Sequence, residues 1–298
     1  MIHNVQAMCQ GLDFPAEATL ELIQNTKKLQ ETEGCVKALQ DAMELLYTKP
    51  DNRYEIELAR ASQRSGVHRY AVDMIFFLSA APALKECYTK GGIGEEIFWA
   101  SMRDLRYKLI ECHDLHGIWG TFVGHWFPGF FRMNRFALGR LQYERRPFTA
   151  TAYKDYLTKN ELGCKCHIPS SGPLRYEEVL DSLRHAYAFY KDLQIDGVLP
   201  IFCNSWLLYP PLADRFPATS NIGRFYRLFD VISLEPKASN DDFWRIFNLP
   251  YDVNNLINAP ERSSLQRTVK HFLLEGNCLG NGLGVILFDG ERVLTEWP

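Results

Sequence analysis

Residues 164–227 constrain the fold of this chain more than any other segment. The pattern predicts a strand at Cys164–Ile168, a Ser/Gly/Pro loop, an amphipathic helix at Tyr176–Leu193 and a second strand at Val198–Asn204. A strand that leads through a small-residue loop into a helix can form an anion site, because unpaired backbone amides and the positive end of the helix dipole point to one place. We therefore expect the functional site between the ends of the two strands.

The predicted secondary structure differs between the first part of the chain and the rest. Up to about residue 112 the apolar residues recur at helical spacing, with one helix predicted to start at Pro82 and another at Glu95–Cys112. Residues 116–148 are aromatic and punctuated by glycine, which favours strands. Strands at Arg227–Leu234 and Gly284–Phe288 then alternate with helices, as in an α/β layer with a mixed sheet. The chain is predicted to be α+β, with a domain boundary near residue 115.

Composition excludes several classes of protein. Of 298 residues, 46% are apolar, and the net charge of −3 provides no general attraction to nucleic acid or to an anionic membrane. No run approaches the ~18 apolar residues of a membrane span, and the N-terminus does not resemble a signal peptide. The eight cysteines are scattered, which indicates reduced thiols and a cytoplasmic location. Oligomeric state cannot be inferred.

Three blocks of the sequence carry a family resemblance: FALGRLQYE (136–144), CHIPSSGPLRYEEVLDSLRHAYAFY (166–190) and CNSWLLYPPLADRFPATSNIGRFYRLF (203–229). With their spacing they resemble the bacterial acyltransferase-domain proteins that join a helical N-terminal domain to a GNAT-like C-terminal domain. The resemblance implies a helical domain over 1–115 and a GNAT-like domain with a mixed α/β sheet over 116–298. It also implies acetyl-CoA or another acyl-CoA as co-substrate, bound where two parallel strands part.

The resemblance assigns the donor-binding residues. The pantetheine arm would pair with the first strand up to Ile168, and the pyrophosphate would lie on the loop Ser170, Ser171 and Gly172. A serine that caps the following helix is the alternative explanation of the loop. The usual GNAT phosphate pattern, a Gln or Arg followed by Gly-x-Gly or Gly-x-Ala, is absent here.

Polar residues after the second strand complete the predicted donor site. Asn204 and Ser205 end that strand, where an α/β sheet commonly faces its ligand, although they can also cap the next helix. Asn204 replaces a histidine that is frequent in the family. By resemblance Asn221 would contact the cofactor, whereas Ser220 is more simply explained as a helix cap.

Four residues are candidates for catalysis. His167 can act as a general base, since its ordinary pKa is near 6.5, or it can be a structural histidine in the sheet. Glu144 can serve as a base or hold an amine, and the alternative is an exposed ion pair with Arg140 or Arg146. Tyr226 by resemblance, or Tyr209, would protonate the leaving thiolate.

Cysteine chemistry is less favoured. Cys166 and His167 are adjacent, so on a strand they point to opposite faces and cannot easily form a nucleophile–base pair. A cysteine hydrolase would need another histidine near Cys166 or Cys203. The C-x₂₋₄-C spacing of a zinc site is absent, and no metal is predicted.

These observations predict an acyl-CoA-dependent N-acyltransferase, in which an amine of unknown identity attacks the thioester directly. The partner would be a small-molecule amine, with neither nucleic acid nor membrane involved. The alternative is a non-catalytic GNAT-like protein that binds an acyl-CoA or a metabolite, or that assembles with another protein.

Overall fold

The computed structural model describes residues 2–237 and 239–295. The described chain separates into two compact units, one ending at Ala137 and the other starting at Leu138. This division lies later in the chain than the boundary predicted near residue 115. The segment between the two positions packs with the helices that precede it, as its contacts below demonstrate.

The first unit is built from helices. They are α1 (Ile2–Gly11), α2 (Ala16–Glu31), α3 (Cys35–Thr48), α4 (Tyr54–Ser65), α5 (Arg69–Lys90), α6 (Glu95–His116) and the short α7 (Pro128–Phe131). The start predicted at Glu95 is confirmed, but the start predicted at Pro82 is wrong, because Pro82 lies inside α5. Most side chains of α5 are buried, and their packing keeps the helix continuous although proline removes one backbone hydrogen bond.

The aromatic segment after Gly117 does not form the predicted strands until Arg135. It contains a single 3₁₀ turn at Gly124–Trp126 followed by α7. The rings of Phe127 and Phe131 pack against Phe77 of α5, with centroids 4.9 and 5.1 Å apart. The aromatic residues that favour strands in the sequence are here buried against helices, so tertiary packing overrides their intrinsic preference.

The second unit contains most of the sheet. Its elements follow β1 (Arg135–Leu138), in which the division between the units falls. They are β2 (Leu141–Pro147), β3 (Ala152–Tyr153), β4 (Leu157–Thr158), β5 (Leu162–His167), α8 (Tyr176–Phe189), β6 (Leu199–Ser205), α9 (Pro210–Ala213), α10 (Asn221–Arg227), β7 (Asp230–Pro236), α11 (Trp244–Phe247), α12 (Val253–Asn258), α13 (Ser264–Leu274) and β8 (Gly280–Phe288).

The sheet has the order β1-β2-β5-β6-β8-β7, and β3 pairs with β4 in a separate hairpin. The β5–β6 pair is parallel, whereas β2–β5, β6–β8 and β7–β8 are antiparallel. The parallel pair is connected through α8, as a parallel connection requires. The predicted α+β class, helices followed by a mixed sheet, is confirmed.

Helix α8 covers one face of the sheet. Ser182 of α8 accepts a hydrogen bond from the Leu141 amide (3.0 Å), and its hydroxyl lies 3.1 Å from the Tyr143 hydroxyl. The opposite face carries an apolar cluster that includes Phe148, Leu157 and Phe202. The short helices between β7 and β8 enclose a further apolar cluster with Tyr209. Among the described helices, none combines the length and the apolarity needed to cross a bilayer.

Candidate active site

The strands β5 and β6 part at their carboxyl ends. Their parallel register runs from Cys164↔Ile201 to Lys165↔Phe202 and extends no further. Beyond this point β5 still pairs with β2 as far as His167, and β6 still pairs with β8 as far as Ser205. Each strand therefore follows its outer neighbour, and the two inner edges separate. The opening lies where the sequence predicts the ligand.

Strand alternation gives the opening two different faces. Lys165 and Phe202 are opposite each other, so two residues further His167 and Asn204 project to the same face, one from each strand. Asn204 is exposed and His167 is partly buried. The polar pair at the mouth of the opening is therefore His167 and Asn204, as the sequence suggests.

The cysteines of the same strands project to the other face. Cys166 and Cys203 are each 1% exposed. A hydrogen bond with the Cys203 thiol, and then burial, raise the pKa of Cys166 well above its usual value. A buried thiol with a raised pKa is a poor nucleophile, and Cys166 does not share a face with His167. These facts argue against a cysteine hydrolase.

Two predicted catalytic residues meet across β2 and β5. His167 Nε2 lies 2.9 Å from Glu144 Oε2, and the other carboxylate oxygen lies 3.0 Å from Arg146 Nε. Gln142 is directly opposite His167, so Glu144 is the diagonal neighbour on the same face. Glu144 is only 3% exposed. The ion pair with Arg146 that the alternative explanation of Glu144 predicts is therefore present, but the carboxylate in it is buried and not exposed.

This contact defines the chemistry available to His167. With a hydrogen on Nε2, the ring donates to the carboxylate, and Nδ1 is then the nitrogen with the lone pair. A buried carboxylate beside the ring also stabilises the imidazolium that forms when Nδ1 takes a proton. The arrangement is that of a general base oriented by an acid residue.

One arginine side chain binds the loop Pro169–Pro173 through backbone carbonyl oxygens. Arg140 donates to the carbonyl oxygens of Pro169 (3.2 Å), Gly172 (2.6 Å) and Pro173 (3.1 Å). Gly172 has φ +109°, a conformation that L side chains rarely adopt, and a Cβ there would meet nothing within 4 Å. The loop is exposed at Ser170, Ser171 and Gly172, so its surface is open to a ligand.

Helix α8 begins after this loop without a side-chain cap. Its N-cap residue is Arg175, whose side chain makes no capping hydrogen bond. The alternative in which Ser170 or Ser171 caps the helix is therefore wrong. The first turn also carries Glu177 and Glu178, and Glu178 pairs with Arg175 at 2.7 Å. The backbone amides of this turn form the positive end of the helix dipole, which is the feature that favours an anion.

The remaining polar candidates have structural partners. Ser205 accepts a hydrogen bond from the Leu207 amide (3.2 Å), which is the capping alternative. Ser220 accepts one from the Gly223 amide (3.0 Å) and so caps α10, whose first residue is the exposed Asn221. Among the described residues, no hydrogen bond or ion pair joins Asn221 to the β5–β6 opening. Ile168, partly buried, directly follows β5 and leads into the loop.

The two tyrosines predicted as general acids lie in different surroundings. Burial, and then the nearby Asp214 carboxylate, which is also its hydrogen-bond partner, raise the pKa of Tyr226 to about 12. Tyr209 is 7% exposed, and its ring packs over the backbone of Gly280. Burial raises the pKa of Tyr209 as well. The structure therefore brings Glu144 and His167 together, but it gives both tyrosine side chains other neighbours.

Sequence reasoning named Arg146 as an ion-pair partner of Glu144, but it missed the contact of Arg140 with the loop. The clamp by Arg140 depends on the turn between β1 and β2, where Gly139 has φ +77°. The contact of Arg146 with Glu144 follows from their i, i+2 spacing on β2, which was the available signal. The partners of Arg140 lie about thirty residues away, and no local pattern indicates them.

Other sites are less suitable. A surface cavity of about 480 Å³ in the first unit is lined by eight residues, among them Cys9, Phe14 and Leu20. Burial raises the pKa of the Cys9 thiol to about 12, and the lining contains no predicted site residue. Within residues 2–237 and 239–295, no group of three His, Cys, Asp or Glu side chains is placed to hold a metal ion.

Comparison with known proteins identifies both halves of the chain. Residues 3–133 match the N-acyltransferase N-terminal domain, and residues 136–286 match the GNAT-like C-terminal domain. A search of curated proteins finds no match.

Solved structures of similar fold are acyltransferases. An acyltransferase in complex with decanoyl-CoA and teicoplanin matches with a TM-score of 0.74 at 20% identity, over 95% of this chain and 87% of that one. An acyltransferase in complex with decanoyl-CoA matches with a TM-score of 0.62 at 22% identity, over 94% of this chain and 98% of that one. A mutant acyltransferase in complex with octanoyl-CoA matches with a TM-score of 0.62 at 20% identity, over 96% of this chain and 99% of that one.

At these identities the structural likeness establishes the fold. The two domain matches together span nearly the whole chain, and the second alone spans half of it. The parted strands, the loop and the uncapped helix lie within that second match. The chain therefore belongs to the acyltransferase family in which an N-acyltransferase N-terminal domain precedes a GNAT-like C-terminal domain.

Proposed function

We propose that this protein transfers an acyl group from acyl-CoA to the amino group of a small molecule. The observation that carries the proposal is the parting of β5 and β6 directly before the loop that leads into α8. The solved acyltransferases of similar fold were crystallised with CoA species, and one of them also with teicoplanin. That precedent supports an acyl-CoA donor and a small-molecule acceptor here.

The pantetheine arm would bind along the inner edge of β5. From Cys166 to Ile168 this edge no longer pairs with β6, so its backbone groups can bond to the pantetheine amides as a neighbouring strand would. Asn204 faces the same opening from β6, and its exposed amide can bind a carbonyl oxygen. The thioester would then lie near His167.

The pyrophosphate would bind at the loop Pro169–Pro173. Arg140 draws three loop carbonyls toward itself, which leaves the opposite side of the loop for an anion. The α8 amides add the positive end of the helix dipole. We assign Ser170, Ser171 and Gly172 to this contact.

His167 would act as the general base, oriented by Glu144. Its Nδ1 takes a proton from the ammonium group, and the amine lone pair then attacks the thioester carbonyl carbon. As the tetrahedral intermediate collapses, the nitrogen loses its second proton and the C–S bond breaks, which gives a neutral amide and the CoA thiolate. The thiolate takes up one proton. No covalent enzyme intermediate forms, in agreement with the buried, poorly nucleophilic Cys166 and Cys203.

The leaving thiolate needs a proton from a general acid. Tyr226 and Tyr209 stay our proposed acids, although Tyr226 is bonded to Asp214 and Tyr209 packs over Gly280. This placement is the observation that favours the second candidate function, a non-catalytic protein that binds acyl-CoA. The cytoplasmic location remains a prediction from the cysteine content, and the bacterial origin one from the resemblance.

Calorimetry and turnover separate these functions. Octanoyl-CoA and decanoyl-CoA are titrated into the protein, and CoA release is then followed with a panel of amines. Saturable binding and amine-dependent CoA release support the proposal, and His167→Gln should abolish release while binding persists. Binding without turnover on any amine supports the second candidate. Folded protein that binds neither acyl-CoA at millimolar concentration refutes both.

A further inference from the structure

Arg146 contacts the proposed catalytic pair through a single atom. Its Nε lies 3.0 Å from Glu144 Oε1, while Glu144 Oε2 lies 2.9 Å from His167 Nε2. One carboxylate thus joins the arginine and the histidine through its two oxygens. Within the described residues Arg146 forms no other ion pair.

The strand geometry aims Arg146 at Glu144. Alternation along β2 puts Glu144 and Arg146 on the same face, and the residue opposite Arg146 on β5 is Gly163, which has no side chain. The guanidinium therefore meets no side chain from the directly opposite position. Arg145 projects to the other face, where it forms a bidentate ion pair with Asp192.

The burial of the two groups differs sharply. The Glu144 side chain is 4% exposed and that of Arg146 is 56% exposed. A buried carboxylate is costly unless it is paired and hydrogen-bonded. Arg146 supplies the opposite charge to it from the surface, with Nε 3.0 Å from Oε1, and this ion pair restricts the rotation of the carboxylate plane. The second oxygen is then directed at His167.

We propose that Arg146 is a positioning residue for acyl transfer, which keeps Glu144 ionised and turned so that its second oxygen accepts the hydrogen bond from His167. The inference rests on the proposed function, because it assigns His167 as the base. It concerns the chemical step alone, since Arg146 pairs with Glu144, whereas the loop Pro169–Pro173 is bound by Arg140.

Three variants test this role. Arg146→Gln removes the charge, Arg146→Lys keeps the charge without the planar fork, and Arg145→Gln is a matched control on the opposite face of the same strand. For each we would measure kcat and KM for octanoyl-CoA, thermal stability, and the NMR signal of the His167 ring N–H. That signal is assigned by its absence in His167→Gln.

We expect Arg146→Gln to lower kcat about tenfold or more, as the loss of a group that orients another often does, with KM for octanoyl-CoA unchanged. The ring N–H signal should broaden or disappear because the carboxylate is no longer fixed. Arg146→Lys should retain part of the wild-type kcat and part of the ring N–H signal. Arg145→Gln should leave kcat and the signal unchanged.

Wild-type kcat together with an unchanged ring signal in Arg146→Gln would overturn the inference. Equal losses in Arg146→Gln and Arg145→Gln would also overturn it, since the effect would then be general destabilisation. If Arg146→Gln is not folded, Arg146→Lys decides by the same two measurements. If the wild-type protein acylates no amine, the proposed function fails, and the NMR comparison alone still decides whether Arg146 positions the pair.

Discussion

If the loop Pro169–Pro173 binds the pyrophosphate, a negative charge at Gly172 must weaken the binding of acyl-CoA. The matched variants are Gly172→Asp and Gly172→Ala. Both force an L side chain to φ +109°, so they share the same backbone strain. An added Cβ meets nothing within 4 Å, so neither variant creates a clash. The difference between the two therefore isolates the charge.

The size of the effect follows from Coulomb's law. A carboxylate at this exposed position would lie ~6 Å from a bound phosphate, and an effective dielectric constant of ~40 gives about 1.4 kcal/mol per pair of unit charges. That energy corresponds to about a tenfold increase in Kd. Screening reduces it at high salt.

Calorimetry with octanoyl-CoA at low and high salt measures this difference. We expect Gly172→Asp to bind about tenfold more weakly than Gly172→Ala, and we expect the gap to narrow as salt rises. The thermal stability of the two variants should be similar, since they carry the same strain. Equal affinities in two folded variants would refute the assignment of this loop to the pyrophosphate.

Three further predictions concern groups around the site. Arg140→Ala removes the side chain that binds three loop carbonyls, so Kd for octanoyl-CoA should rise about tenfold. The control Arg145→Ala, at the surface, should leave Kd unchanged. Equal Kd values for the two variants by calorimetry would contradict this prediction. Ser182→Ala leaves buried backbone groups at the β1–β2 turn without their hydroxyl partner. Urea unfolding should therefore show that the free energy of unfolding falls by about 2–3 kcal/mol. A decrease below about 0.5 kcal/mol would contradict this prediction. Gly282→Ala puts a Cβ 1.9 Å from the Leu208 carbonyl oxygen, a backbone clash that should cost about 2 kcal/mol or more; wild-type stability would contradict it.

Local pattern was sufficient to predict the elements that surround the opening. The strands β5 and β6 and the helix α8 begin and end within a few residues of the predicted positions, because each has its own periodicity and its own proline or glycine boundaries. Alternation along β5 also predicted that Cys166 and His167 point to opposite faces. The helical first part and the mixed sheet followed from the same patterns, and they established the fold class.

The contacts that make the opening a candidate active site depend on tertiary structure. Glu144 and His167 meet because β2 and β5 pair in one register. The chain between these two strands forms the hairpin β3–β4, which no short sequence pattern specifies. The three carbonyls bound by Arg140 likewise lie far along the chain.

The aromatic segment after Gly117 and the continuity of α5 through Pro82 illustrate the same limit. In both cases intrinsic preference favoured one structure, and burial against neighbouring helices stabilised another. Sequence alone thus determined which elements form around the site and which face each strand residue takes, since these depend on neighbours along the chain. Only the tertiary structure decided which side chains meet there, because strand register and packing are set by contacts between residues that are distant in sequence.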